Sequence, residues 1–254
     1  MKSFLGFLFT VLCLDFCAYA GSPVHYELIG GVEAPDGAYP ELVYVTSNGA
    51  NCSASIISPE GSNGVVLTAA HCVRHHGDIG PVAEVFISVE EERFVAKCHR
   101  APLYRQGKED HDLALCKANA PFHVKPANIA SKGPNIGESV RVMGYGCTKA
   151  DDNDNTSGGN NGVLRIGEAK VAKVPNKRNW FETNSTVRSC YGDSGAPSMV
   201  LNDSEHIILG VTSQGDLRSR SLFTAVYTQK SLEFFQKFAN DEKVDICGIT
   251  QNCE

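Results

Sequence analysis

Several features are missing from this sequence, and each absence removes a class of function. No run of basic residues occurs among its 254, and the formal net charge is −6. Nucleic acid, which is held by clustered Lys and Arg, is therefore not an expected partner. No Cys-x-x-Cys pair is present, which argues against the common zinc sites, and no metal is expected. No motif supports a cofactor. No unit recurs with a period of 20–50 residues, so solenoids and propellers are out. Beyond the N-terminus no apolar run approaches the ~20 residues that a membrane-spanning helix needs, and no membrane partner is expected.

What is present begins with a leader. Met1-Lys2-Ser3 precedes the apolar run Phe4 to Leu14, and Ala18-Tyr19-Ala20 supplies a small-x-small site. Residues 1–20 thus read as a signal peptide cut before Gly21, which directs the product outside the cell or into a periplasm. Cys13 and Cys17 lack the small-residue lead-in of a lipid anchor. Of ten cysteines, these two belong to the leader, leaving 10 − 2 = 8. An even set in an oxidising compartment points to disulfides among Cys52, Cys72, Cys98, Cys116, Cys147, Cys190, Cys247 and Cys253.

From Tyr39 onward, short runs rich in Val, Ile, Thr and aromatics alternate with Gly, Pro, Asn and Ser clusters. The runs are Leu42–Thr46, Ser53–Ile57, Val65–Thr68, Val85–Val89, Arg93–Cys98 and Leu113–Cys116. A second set is Ser139–Met143, Ile166–Val174, Ile207–Ser213 and Phe223–Thr228. Short strands at this spacing indicate an all-β barrel or sandwich. Ala118 to Gly137, with three prolines, reads as a connector. Leu232, Phe234, Phe235 and Phe238 have the spacing of a short amphipathic helix near the C-terminus. The polar insert 150–162 reads as a solvated tip; calcium binding through its oxygens is the weaker alternative. Asn51, Asn155, Asn184 and Asn202 head glycosylation sequons.

Three segments carry chemistry. Cys190-Tyr191-Gly192-Asp193-Ser194-Gly195-Ala196-Pro197 places a serine between glycines, which suits a nucleophile on a tight turn. The amides of Gly192 and Ser194 can then face a developing oxyanion. Upstream lie Thr68-Ala69-Ala70-His71-Cys72 and His111-Asp112-Leu113-Ala114-Leu115. An imidazole matches the role of base, and a carboxylate matches that of fixing its tautomer. His75-His76 is a poor metal pair, since neighbours on a strand face opposite ways.

Taken together, the three segments resemble the chymotrypsin/trypsin family of serine proteases, over about residues 28–240. That resemblance implies two antiparallel six-stranded β-barrels, roughly 28–130 and 131–240, with a short C-terminal helix. It implies His71, Asp112 and Ser194 as a triad, and the Gly192 and Ser194 amides as oxyanion donors. Protein or peptide substrates and a monomer are expected. It also implies a propeptide, residues 21–27, cut between Glu27 and Leu28, with the new amino group pairing with Asp193. Glu27 departs from the usual basic residue there. A Cys52–Cys72 bridge is likewise implied; Cys98–Cys116, Cys147–Cys190 and Cys247–Cys253 are the expected remainder, with connectivity open.

Substrate contacts carried over from the family are Arg188, Ser213, Gln214, Gly215 and Ala225. Arg188 stands where the family has the floor of its primary pocket. A guanidinium there would pair with a substrate carboxylate, so cleavage after Glu or Asp is expected. Against this stands an Arg188 that turns to solvent or pairs with Asp216. The alternatives to a peptidase are an inactive homologue that binds a partner, and an esterase using the same acyl chemistry.

Overall fold

The computed structural model describes residues 28–47, 50–73, 82–89, 92–106, 110–148, 162–202 and 205–253. The expected leader and propeptide (1–27), His75, His76, Asn155 and the insert up to residue 161 lie outside the described residues.

Alternation of inward apolar and outward polar side chains builds two barrels. The first is made of β2 (Leu42–Ser47), β3 (Ala50–Ile56), β4 (Asn63–Thr68), β5 (Val82–Val89), β6 (Glu92–Arg100) and β7 (Ala114–Pro121). They close in the order β2-β3-β4-β7-β6-β5. The second is a ring of β9 (Ser139–Gly144), β10 (Arg165–Lys173), β11 (Trp180–Asn184), β14 (Arg220–Ala225), β13 (Glu205–Gly215) and β12 (Pro197–Asn202). The two-residue β1 (Val32–Glu33) adds to β10, and β8 (Asn128–Ile129) pairs in parallel with β13. All other pairings are antiparallel, as expected of two six-stranded barrels. The terminal helix α1 (Gln229–Glu242) buries Phe234, Phe235 and Phe238. Its N-cap is Thr228, whose hydroxyl accepts from the Ser231 amide.

One apolar cluster runs through both barrels and includes Val45, Ile56, Leu67, Ile87, Leu115, Met143, Phe181 and Phe223. Each such side chain, fully buried, stabilises by about 1.5–3 kcal/mol. Phe181 and Phe223, paired across β11 and β14, stack with centroids 5.1 Å apart. Four disulfides supplement the core: Cys52–Cys72, Cys98–Cys116, Cys147–Cys190 and Cys247–Cys253. Cys98 and Cys116 are direct cross-strand partners on β6 and β7.

Element boundaries differ from the sequence expectation in instructive places. The last expected strand, Phe223–Thr228, is shifted: β14 runs from Arg220 to Ala225, because Thr228 is taken by the helix cap. The expected connector from Ala118 begins inside β7 and contains β8. The strands β11 and β12 had no counterpart in the expectation, since Glu182 and Asn184 dilute the one and the nucleophile turn precedes the other.

A polar contact joins the barrels. Glu41, only 1% exposed, meets His206 Nδ1 at 2.6 Å, and the imidazole stacks on Tyr39. Arg141 donates to the Tyr39 hydroxyl at 2.7 Å. Replacing His206 with Ala strands the Glu41 carboxyl in a buried site. We expect a loss of about 1–3 kcal/mol in denaturant unfolding. The apolar pair Glu41→Met with His206→Leu should recover most of it.

Candidate active site

Each element of the site is fixed by backbone before its side chain acts. His71 sits in a single 3-10 turn, Ala70–Cys72, directly after the buried β4. The Cys52–Cys72 bridge ties that turn to β3. Asp112 enters from the neighbouring strand, just ahead of β7, which pairs with β4 through Ala114 and Thr68; His111 adopts a positive φ of 65° there and Leu113 is buried. Its carboxylate is 2% exposed. Oδ1 accepts from the His71 amide at 2.9 Å, and Oδ2 lies 2.7 Å from His71 Nδ1. Ser213, on β13 of the second barrel, donates its hydroxyl to the same Oδ2 at 2.6 Å. An ionised carboxylate with three donors holds the imidazole with its proton on Nδ1, leaving Nε2 as a lone-pair acceptor.

Ser194 is held by its own backbone. Its carbonyl accepts from the Ser53 amide at 2.8 Å, and the Gly195 amide donates to Thr212 O at 2.9 Å. Gly195 has φ +86°, and a Cβ there would lie 2.1 Å from Ser53 O, so only glycine fits. Gly192 also takes a positive φ, 98°. Among the described residues, the amides of Gly192 and Ser194 have no acceptor. Both residues line a cleft of about 540 Å³ together with His71, Ser189, Ser213 and Gly215. The described residues show no hydrogen bond between His71 and Ser194. Such bonds are commonly long or absent until substrate is bound. Cys52, Cys72 and His71 also lie close together, but both sulfurs are in a disulfide, and a thiolate is what binds metal.

Asp193, adjacent to Ser194, turns inward and is fully buried. It accepts from the Gly146 amide at 2.8 Å and the Cys190 amide at 2.7 Å. Burial pushes its carboxyl up to about 7; the two amides and the nearby Arg165 guanidinium pull the other way. Leu28 is buried, and Ile29 packs on the Cys147–Cys190 bridge. Glu27 lies outside the described residues.

Two expected substrate contacts need correction. Arg188 does not line the cleft: its Nε donates to Leu217 O at 3.0 Å and its Nη1 to Thr186 O at 2.9 Å. Nor does it pair with Asp216, whose carboxylate instead accepts from the Arg218, Ser219 and Arg220 amides and the Arg220 side chain. The counter-charge for an acidic substrate side chain is thus turned away. Ala225 also lies elsewhere, buried on β14 opposite Gly210. The residue facing Gly215 across the strands is Ser221. Ser189 and Thr212, which line the cleft, were missed by the sequence reading. For Thr212 the signal was a polar residue inside an apolar strand; Ser189 sits in the irregular segment before the Ser194 turn and offered none. Gln214 and Gly215 do line the cleft.

This fold and this cleft define a protein of the chymotrypsin architecture, with a serine, an imidazole and a carboxylate where the two barrels meet. A family model for trypsin matches residues 28–235, and the chain belongs to that family. Its curated relatives include snake venom serine proteases. One, BITS01A from Bothrops insularis, is 25% identical over 87% of this chain and 90% of its own. Another, nikobin from Vipera nikolskii, is 32% identical over 47% of this chain and 48% of its own. Among solved structures, mouse neuropsin, a serine protease expressed in the limbic system, aligns at a TM-score of 0.62 and 20% identity. That alignment covers 82% of this chain and 97% of neuropsin. Membership implies protein substrates, and four disulfides are consistent with an extracellular setting.

Proposed function

We propose that the chain is an exported serine endopeptidase that works through His71, Asp112 and Ser194. Ser194 Oγ attacks the scissile carbonyl while His71 Nε2 takes its proton. The Gly192 and Ser194 amides receive the negative charge that develops on the carbonyl oxygen. His71 then returns the proton to the leaving amine, and water releases the acyl group by the same steps in reverse roles. The observation that carries this reading is the carboxylate of Asp112, buried and shared among the His71 amide, His71 Nδ1 and the Ser213 hydroxyl. Buried carboxylates are rarely arranged so that their main partner is a half-exposed imidazole at a cleft, unless that imidazole is to become charged.

The reading separates cleanly from that of an inactive, partner-binding homologue. A fluorophosphonate probe should label Ser194 after residues 1–27 are removed, and Ser194→Ala should remove all label. An intact, folded 28–254 protein that stays unlabelled would favour the binding homologue.

A further inference from the structure

The turn before Ser194 contains three successive peptide planes, and each is anchored through its carbonyl. Tyr191 O accepts from the Cys147 amide at 2.8 Å, and Asp193 O accepts from the Ala196 amide at 2.9 Å. Those two planes carry the N–H groups of Gly192 and Ser194. Backbone supplies both anchors, so they do not depend on any one side chain. The plane between them, Gly192 to Asp193, is held differently. Its N–H donates to Cys190 O at 3.1 Å, but its carbonyl, Gly192 O, accepts from the Ser53 hydroxyl at 2.9 Å. Among the described residues no other donor reaches that oxygen.

Ser53 belongs to β3 of the first barrel and is fully buried. Its hydroxyl also accepts from the Tyr145 amide at 3.2 Å. A hydroxyl has a single proton, and an amide can only donate to it, so the Ser53 proton is left for Gly192 O. The backbone of the same residue is engaged as well. Its amide donates to Ser194 O at 2.8 Å, and its carbonyl accepts from Thr68 Oγ1 at 2.8 Å, at the end of the strand that leads to His71. The carbonyls of both residues that offer oxyanion amides therefore rest on Ser53, across the junction of the two barrels.

The middle plane sets the angle between the two N–H groups. Gly192 sits at φ 98°, where the chain lacks the restraint of a side chain, and a Cβ there would lie 2.9 Å from Gly146 Cα. The turn thus cannot be stiffened at Gly192 itself, and an external donor must do it. Donors to an oxyanion act through being aligned before the charge develops. Without the Ser53 hydroxyl, Gly192 O loses its partner, and the plane is free to turn that oxygen toward water.

We infer that Ser53 is a positioning residue: its hydroxyl locks the Gly192–Asp193 peptide and so aligns the Gly192 and Ser194 amides on the oxyanion. This rests on the endopeptidase reading above and adds a residue to its machinery. The test uses the 28–254 protein with Ser53→Ala. On a peptide substrate kcat should fall about tenfold while KM stays within about twofold, the pattern of an interaction made only in the transition state. A peptide aldehyde, whose adduct with Ser194 places an oxygen at the oxyanion position, should bind about tenfold more weakly. Ser53→Gly also removes the hydroxyl and serves if Ser53→Ala fails to fold. His206→Ala, destabilised at the barrel junction away from the cleft, should lower the melt and leave kcat in place. A folded Ser53 variant with kcat within twofold of the parent overturns the inference, as does a change confined to KM. An equal loss of kcat in His206→Ala overturns it too, by assigning the effect to stability. Fluorophosphonate labelling separates the two possible failures. A parent and a Ser53→Ala protein labelled at the same rate sink only the role of Ser53, whereas a parent that takes no label sinks the peptidase reading and this one with it.

Discussion

Replacing Asp112 with Asn should lower kcat on a peptide about 10⁴-fold with the fold retained. The reason lies in hydrogen-bond polarity. Asp112 now accepts from the His71 amide, from His71 Nδ1 and from the Ser213 hydroxyl. An Asn side chain has one accepting oxygen and one donating nitrogen. If its oxygen keeps the His71 amide, its NH₂ faces Nδ1. The imidazole must then carry its proton on Nε2, the nitrogen that should receive the Ser194 proton. The Ser213 hydroxyl can rotate and donate elsewhere, so the structural cost stays modest. Steady-state kinetics alongside a thermal melt would check this. A loss below about tenfold, with an unchanged melt, would remove the tautomer-fixing role of Asp112. Slower fluorophosphonate labelling should accompany the loss, because labelling also needs a deprotonated serine.

The chain that still carries residues 1–27 should lose stability as pH rises from about 4 to about 7, and the chain beginning at Leu28 should not. Burial holds the Asp193 carboxyl near 7, against an ordinary carboxylate value of 3.8. Between these values the folded chain keeps a proton that the unfolded chain has released. Stability therefore is fully present below the lower value and is lost as pH climbs to the upper one, at no more than about 1.4 kcal/mol per unit. A new ammonium at Leu28 would pair with Asp193 and bring its carboxyl back down, which removes the window. Denaturant unfolding at pH 4.5 and 7.5, in a Ser194→Ala background to prevent self-cutting, would measure both chains. Asp193→Asn in the uncut chain should flatten the profile, which separates this carboxyl from the histidines. A flat profile in the uncut chain itself would show that Arg165 and the two amides already hold Asp193 ionised.

Much of the architecture could be read without coordinates. The strands of the first barrel were visible as short runs rich in Val, Ile, Leu and Ala, alternating in burial in Leu42–Thr46 and buried throughout in Val65–Thr68. Strands β11 and β12 were not, since their apolar residues are interrupted by Glu182 and Asn184 or follow directly on the Ser194 turn. Their place in the second barrel depends on partners far along the chain. The helix expected from Leu232 and the three Phe residues exists, but its start is set by the Thr228 cap rather than by the apolar spacing.

Amino-acid order alone determined which residue types are available to the chemistry: Ser194 between glycines, His71 beside a cysteine, Asp112 before a strand, and an even count of cysteines after residue 20. These are local features, and local spacing is enough to recognise them. Tertiary structure alone decided where Arg188 points and which residue lies opposite Gly215. Both depend on the short hairpin from Gly215 to Ser221, folded tightly by Asp216 taking three successive amides. That turn puts Ser221 opposite Gly215 and leaves the expected contact Ala225 four residues further along β14, opposite Gly210. Alternation cannot detect such a shift, because moving a strand by an even number of residues leaves every inward position inward.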